Sequence, residues 1–334
     1  MKQVICIGSA CKDIFFPTDE GMVSDTPSDV MSQRKITFEL GAKYKIEDRA
    51  EAIGGVAANV AIGMAKLGLS PACYSHIGDD ASAQWIEKEL ARNGVDISLI
   101  SREKFFSSDL SAIVVDKKSG DRVIFSNQKA NGRMKIVPEK LKDAEWIFIG
   151  DLHGEWEKHL DDVCAIAKEK KIRVANNPRQ ANIHDNPRKV LEIISDTQVL
   201  FVNKDESIEI LSALPADFSK EDLNDELFLV KKLKDLGPEV VAITDGVRGA
   251  WAIDGKEVVF APGIKVEAKD TTGAGDSFSS AFFSAYIKGK SLSECVKWGI
   301  ANSASEVQFY GSVEGLLSEN EIEERSKTVE AKAL

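Results

Sequence analysis

Short apolar runs, each closing on glycine or a polar cluster, recur along the chain at residues 4–8, 71–77, 146–149, 172–175, 199–202 and 240–244. Stretches with helical spacing of apolar residues lie between several of them, as at 81–92 and 157–170. Runs that are apolar at nearly every position suit strands buried on both faces, as in a parallel sheet covered by helices. The rhythm therefore restricts the chain to an α/β architecture built around such a sheet. Polar clusters follow these runs: Gly150-Asp151, Asn176-Asn177-Pro178-Arg179, Asn203-Lys204-Asp205-Glu206 and Asp245-Gly246-Val247-Arg248-Gly249. Each falls at the carboxyl end of an expected strand, where open α/β sheets bind their ligands.

Two stretches place glycines directly before a helix. In the first, Gly54-Gly55-Val56-Ala57-Ala58-Asn59 leads into an apolar stripe of Val56, Val60, Met64 and Leu67 that Gly68 ends. In the second, Asp270-Thr271-Thr272-Gly273-Ala274-Gly275-Asp276 leads into the stripe Phe278, Ala281, Phe282 and Ala285, ended by Gly289. A helix N-terminus carries unpaired N–H groups and partial positive charge, and small residues let an anion come close to them. Asp276 falls in the first turn of the second helix. An anion hole beside a carboxylate is what phosphoryl transfer to a hydroxyl needs. On spacing alone, Asp276 fits equally the role of a residue that complements the helix dipole, and glycines 54 and 55 fit tight helix–sheet packing.

Composition removes other classes. The 334 residues carry a net charge of −11, against a role on nucleic acid or on a membrane surface, both of which call for basic patches. No apolar run approaches the ~20 residues of a membrane span. The five cysteines (Cys6, Cys11, Cys73, Cys164, Cys295) lack metal-site spacing, the four histidines are dispersed, and the chain opens on a strand rather than a leader, so it reads as cytoplasmic. The first strand leads into Gly8-Ser9-Ala10-Cys11-Lys12-Asp13, which lacks the dinucleotide fingerprint, and no P-loop pattern occurs.

The nonapeptide 270–278 resembles the C-terminal signature of the ribokinase-like (PfkB) family of carbohydrate kinases, and 54–59 resembles its N-terminal signature. The resemblance spans nearly the whole chain, with further anchors at Asp13, 177–179, 203–206 and 244–249. It implies a single three-layer α/β/α domain over 1–334, with a mostly parallel central sheet and a small β lid inserted at about 13–50 and 105–130. It implies ATP-dependent phosphorylation of a primary hydroxyl on a small sugar, or of a nucleoside on the same fold. Asp276 would be the base and the amides of Gly273, Ala274 and Gly275 the anion hole. Asp13, Gly54, Gly55 and Asn59 would hold the sugar, and Asn203, Thr244, Gly246 and Gly249 the ATP. Glu206 would help place Mg²⁺ through water, and Asp270 and Thr272 resemble the start of a K⁺ site that Gly311 would continue. A homodimer through the lid is a further expectation.

Parts of the pattern differ. Ala175 stands where many members have an acid, Val56-Ala57 replaces the Lys-Gly typical of ribokinases, and Gly315 stands where ribokinases often have serine. Ribose, fructose, a keto-deoxy sugar acid and a nucleoside all stay open as acceptors. Within the lid segments, strands are expected at 35–40 and 42–46, and a hairpin of 110–115 with 122–125.

Overall fold

The computed structural model describes residues 2–25, 34–120 and 122–334. Residues 26–33 of the first expected lid segment, and Asp121 in the expected hairpin turn, lie outside the described residues. A nine-stranded sheet forms the centre. Pro71–Tyr74, Lys2–Ile7, Ala144–Ile149, Arg173–Asn176, Val199–Asn203 and Val240–Thr244 lie side by side and parallel. The antiparallel strands Ala250–Ile253, Val258–Ala261 and Lys332–Ala333 complete one edge.

Helices cover both faces because each inner strand is apolar on both. Val4 and Cys6, Trp146 and Phe148, and Val199 and Phe201 pack on one side. Their neighbours Ile5 and Ile7, Ile147 and Ile149, and Leu200 and Val202 pack on the other. The first side carries Val56–Lys66, Ala274–Ile287 and Leu292–Glu306; the second carries Trp156–Lys170, Pro187–Ser195 and Glu226–Asp235. Fully burying one such Leu or Phe stabilises a fold by about 1.5–3 kcal/mol, so these two layers hold the architecture. Among the described residues no helix is long and apolar enough to cross a membrane, and all five cysteines are free.

A second, four-stranded sheet stands off the carboxyl ends of the first, in the order Arg122–Asn127, Leu110–Asp116, Cys11–Thr18, Ala50–Gly54. The expected hairpin is its first pair, Arg122 opposite Val115. Cys11–Thr18 is a strand that the sequence reading did not anticipate, since Lys12, Asp13 and Pro17 interrupt its apolar pattern. Its order comes from pairing with residues nearly a hundred positions away, Lys12 with Leu110 and Pro17 with Val115. Asp13 thus belongs to the small sheet and not to a loop after the first strand. The expected strand at 42–46 is not one: that stretch is irregular, with Tyr44 stacked edge-on to Phe38 and its hydroxyl accepting the Glu39 N–H (2.9 Å). The strand at 35–40 is shorter and shifted, Arg34–Thr37, paired with Met22–Asp25 in a separate hairpin. The run at 71–77 divides, with His76–Ile77 leaving the main sheet to pair with Ser101–Arg102.

Candidate active site

The chain runs from Lys2–Ile7 to a neighbour on either side, Pro71–Tyr74 and Ala144–Ile149. This reversal of strand order opens a crevice at the carboxyl ends of Lys2–Ile7 and Ala144–Ile149. Hydrogen bonds cross it. Asp151 accepts from the Ser9 N–H (2.9 Å), from the Ser9 hydroxyl, and from His153 Nε2 (3.1 Å) when that nitrogen carries the proton.

The two glycine-led helices end at this crevice. Gly273 caps Ala274–Ile287 with φ 89°, and a Cβ on it would come within 2.3 Å of Ser312. Gly55 caps Val56–Lys66 with φ 95°, and a Cβ there would strike the Ser9 carbonyl at 2.5 Å. Both positions thus demand glycine twice over, by backbone angle and by space. A Cβ on Gly275 would meet nothing within 4 Å, so the first turn of the helix presents open backbone.

Asp276 stands in that turn, and Asn59 Nδ2 donates to its Oδ2 (2.8 Å). Asn59 Oδ1 is buried without a partner among the described residues. Beside a carboxylate, that free acceptor suits a hydroxyl-bearing ligand. Burial pushes the Asp276 carboxyl up to about 7; the Asn59 bond opposes this, while the charges of Asp151, Glu206 and Asp13 add to it.

Two cavities meet here. The smaller, about 280 Å³, is lined by Asp151, Asn177, Arg179, Asn203, Glu206, Gly273 and Asp276 among others. The larger, about 570 Å³, has mostly apolar walls: Val247, Ile264, Val266, Ile300, Ala304 and Val307, with Gly246, Gly249 and Ala274. Thr244, Gly275 and Phe278 line both. Gly249, at φ 112°, keeps the turn after Thr244 tight, because a Cβ there would lie 2.1 Å from the Ala261 carbonyl.

Asn203 and Glu206 form a capping box at the start of Lys204–Ser212. Asn203 Oδ1 accepts the Glu206 N–H and Glu206 Oε2 accepts the Asn203 N–H, each at 2.8 Å. The pair is therefore a structural device as well as part of the cavity wall. Burial pushes the Glu206 carboxyl up to about 7, opposed by the Asn203 N–H and reinforced by Glu209 and Asp205.

Other expected residues stand apart from the two cavities. Asp13 is buried against Gly54, where a Cβ would fall 2.0 Å from its Oδ2. Burial raises its pKa, opposed by Ser111 and Cys11. Asp270 is buried beneath the helix entrance, its Oδ1 accepting the Thr272 N–H (2.9 Å) and hydroxyl (2.7 Å) and its Oδ2 the Gly311 N–H (3.1 Å). Asp270, Thr272 and Gly311 do come together.

Sequence reasoning named the cluster ending in Asp151 without assigning it to the site, although its place at a strand's carboxyl end was signal enough. The apolar wall of the larger cavity had no such signal, since it is assembled from four separate segments.

The pfkB family carbohydrate kinase pattern matches residues 1–319. The chain belongs to this family. It is a kinase of that class, with the ribokinase-like α/β fold. Ribokinase of Haemophilus influenzae is 28% identical over 278 residues, covering 81% of this chain and 85% of that one. Nucleoside kinase of Methanocaldococcus jannaschii is 26% identical over 326 residues, 97% of each chain. The crystal structure of the latter superposes with TM-score 0.76, covering 98% of both chains at 24% identity. A protein from E. coli crystallised with ATP and Mg²⁺ superposes with TM-score 0.77 at 19% identity, covering 98% of this chain and 99% of that one.

The raised pKa of Asp276 has a consequence for stability. A carboxyl whose folded pKa lies above its unfolded value favours folding most when protonated, and that contribution is lost as pH rises through the folded pKa, here about 7. Asp276→Asn should therefore raise the melting temperature at pH 8, with the gain shrinking as the pH is lowered towards ~4, the unfolded carboxyl range. Thermal melts of both proteins across that range check it; an equal shift at every pH would contradict the burial of a titrating carboxyl.

Proposed function

We propose that the chain, read over 1–334 as one kinase domain with the small sheet as its lid, transfers the γ-phosphoryl group of MgATP to a primary hydroxyl of a small sugar. The observation that carries this reading is the Asp276–Asn59 pair at a glycine-capped helix N-terminus, with Asp276 lining the smaller cavity beside Gly275, which lines both.

The larger, apolar cavity suits a nucleobase and ribose, with Thr244, Gly246 and Gly249 around them. The triphosphate then points along Gly275 into the smaller cavity. The amides of Gly273, Ala274 and Gly275 serve as the anion hole that stabilises the moving phosphoryl charge. Asn203 and Glu206 face the same cavity as acceptors for water around Mg²⁺, an ion that keeps much of its hydration. Bound with the phosphates, Mg²⁺ supplies positive charge against the developing negative charge.

Asp276 takes the proton of the acceptor hydroxyl. A pKa near 7 suits a general base working at neutral pH. Asn59 orients the carboxylate with its N–H and offers its free Oδ1 to a neighbouring hydroxyl. Asp13, Gly54 and Gly55 hold the far side of the acceptor, Asp13 as a carboxylate able to accept from two hydroxyls. The charges of Asp13, Asp151 and Glu206 around Asp276 favour a neutral polyol over a sugar acid.

A second reading, a nucleoside as acceptor, is favoured by one finding: the nucleoside kinase relative matches over 97% of both chains.

ADP release from MgATP, measured across ribose, fructose, keto-deoxygluconate, adenosine, inosine and cytidine, decides the acceptor. A neutral sugar is expected to respond, a nucleoside response moves the chain to the second reading, and silence across the panel contradicts both. Against the responding acceptor, Asp276→Asn should lose about 10²–10⁴-fold in kcat, the usual range for removing a general base. Near-native turnover in that variant would remove the base assignment.

Activation by K⁺ at Asp270 and Thr272 is part of the proposal, supported by their convergence with Gly311. Turnover should rise in K⁺ over an equal concentration of tetramethylammonium; identical rates sink the idea.

For assembly, we read the outward side of the lid as the contact for a second copy, since Val123 and Phe125 are exposed there opposite Val114 and Ala112. Sedimentation velocity at micromolar concentration should give a dimer, and a monomer would refute this.

A further inference from the structure

Arg122 opens the strand Arg122–Asn127 at the tip of the small sheet and pairs across the ladder with Val115. Val115 packs with Phe15, Ala52 and Ile113 on the body side. Cross-strand partners share a face, so Arg122 also points to the body. There its Nη1 donates to the Thr271 hydroxyl (2.5 Å). Its Nε, buried and unpaired among the described residues, faces Asp270 Oδ1 at 4.0 Å. Gly120, at the same tip, rests over the adjoining backbone: a Cβ on it would lie 3.6 Å from the Ala268 carbonyl and 3.7 Å from that of Lys269. The tip of the small sheet is thus seated on residues 268–271, the segment that feeds directly into Gly273 and the first turn of the helix.

A second buried acid belongs to the same region. Glu306 is fully buried with neither carboxyl oxygen partnered among the described residues, and Arg122 is the cation that offsets the charges of Asp270 and Asp276 around it. A guanidinium at the mouth of this acidic recess has a fixed fork, able to hold a hydroxyl through one nitrogen and a carboxylate through another. Nη1 already holds the hydroxyl. Nε needs about 1 Å of approach to reach the ~2.7–2.9 Å of a charge-assisted bond to Asp270.

We propose that Arg122 is a positioning residue that couples closure of the small sheet to the placement of the amides of Gly273, Ala274 and Gly275. The inference rests on the reading of those amides as the anion hole. An acceptor held beneath the small sheet draws the sheet inward and brings Nε onto Asp270. Asp270 is already fixed to Thr272 and Gly311. The completed pair therefore fastens the stretch 270–272, and the helix entrance with it. Transfer geometry is then assembled only when an acceptor is present, which disfavours attack by water on the nucleotide.

The test compares Arg122→Ala and Arg122→Lys with the wild type, in the full chain, by hydrogen exchange and by turnover. In Arg122→Ala the amides of 110–127 and of 268–276 should both exchange faster. Its kcat should fall ~10–100-fold, the scale of an ångström-sized misplacement, while KM for MgATP stays within about threefold. Guanidinium chloride at low millimolar concentration should recover part of the lost kcat in Arg122→Ala and none in the wild type. Arg122→Lys should fall between the two, since a point charge cannot bridge both partners. Unchanged exchange at 268–276, a kcat within about twofold of wild type, or absence of guanidinium rescue would each overturn the coupling. If no acceptor responds in the wild type, the functional reading fails by itself. The exchange of 268–276 then still decides whether Arg122 holds the helix entrance.

Discussion

The site depends on two helices on the same face of the main sheet bringing their N-termini to one point. Val56–Lys66 and Ala274–Ile287 pack closely enough that a Cβ on Gly63 would lie 2.3 Å from Ser280 Oγ. Each helix is entered from a glycine at positive φ, and each glycine is pressed against a fixed neighbour, Ser9 for Gly55 and Ser312 for Gly273. The Asn59–Asp276 hydrogen bond is a product of this convergence, as is the open backbone at Gly275 beside it. A larger residue at 63 would part the helices and separate the pair without touching either member. The packing of a helix interface and the geometry of the site are here one constraint.

The electrostatics follow from the same crowding. Asp151 is held at the crevice by Ser9 and His153, Glu206 by its own helix cap, Asp13 by the small sheet, and Asp276 by Asn59. Each carboxylate is positioned for a local reason; Asp151, Glu206 and Asp276 line one cavity, and the charges of Asp151, Glu206 and Asp13 add to burial in raising the pKa of Asp276. A recess of this kind disfavours free anions and favours phosphate only when a divalent cation accompanies it. Net negative charge in the chain is thus compatible with the proposed nucleotide chemistry, in which local amides and a metal would govern binding rather than the overall field.

What was legible in the sequence was local. The glycine-to-helix entrances, the apolar runs of the main sheet and the polar ends of those strands are encoded within a dozen residues each, so periodicity and spacing disclosed them. Asn203 and Glu206 were legible as a family motif only; that the same Asn-x-x-Glu closes a capping box appears in the structure. The small sheet was only half legible. Its hairpin of Leu110–Asp116 with Arg122–Asn127 is a local pairing, whereas Cys11–Thr18 and Ala50–Gly54 become strands through partners distant in the chain. Of the larger cavity, the turn at 244–249 and the helix entrance at 274–275 were legible, but not the apolar wall that joins them. Its wall joins the turn at 246–249, the loop at 263–268, and faces of two helices, and no window of sequence contains that pattern.

The way the small sheet is attached bears on how it can move. At its base, Asp109 accepts the N–H groups of Ala130 and Asn131 and the Asn131 side-chain amide, at 2.7–2.9 Å. Asn131 in turn accepts the Ser75 hydroxyl (2.9 Å) and donates to the Ala10 carbonyl (3.3 Å). All of these groups are buried, so parting them would leave a carboxylate and several amides without partners, a change that costs several kcal/mol. Further out, the sheet is held by a thin apolar cluster, Phe15, Ala52, Ile113 and Val115 against Tyr310, and by Arg122 at the tip. Sparse apolar contact is the mark of a segment that opens at low free energy, whereas a satisfied buried network resists opening. The sheet is therefore pinned at one end and lightly held at the other, which permits tilting about 109–131 and opposes detachment. Since Gly54 and Asp13 pair within that pinned end of the sheet, a tilt moves the far end while leaving the two close to Asn59 and Asp276.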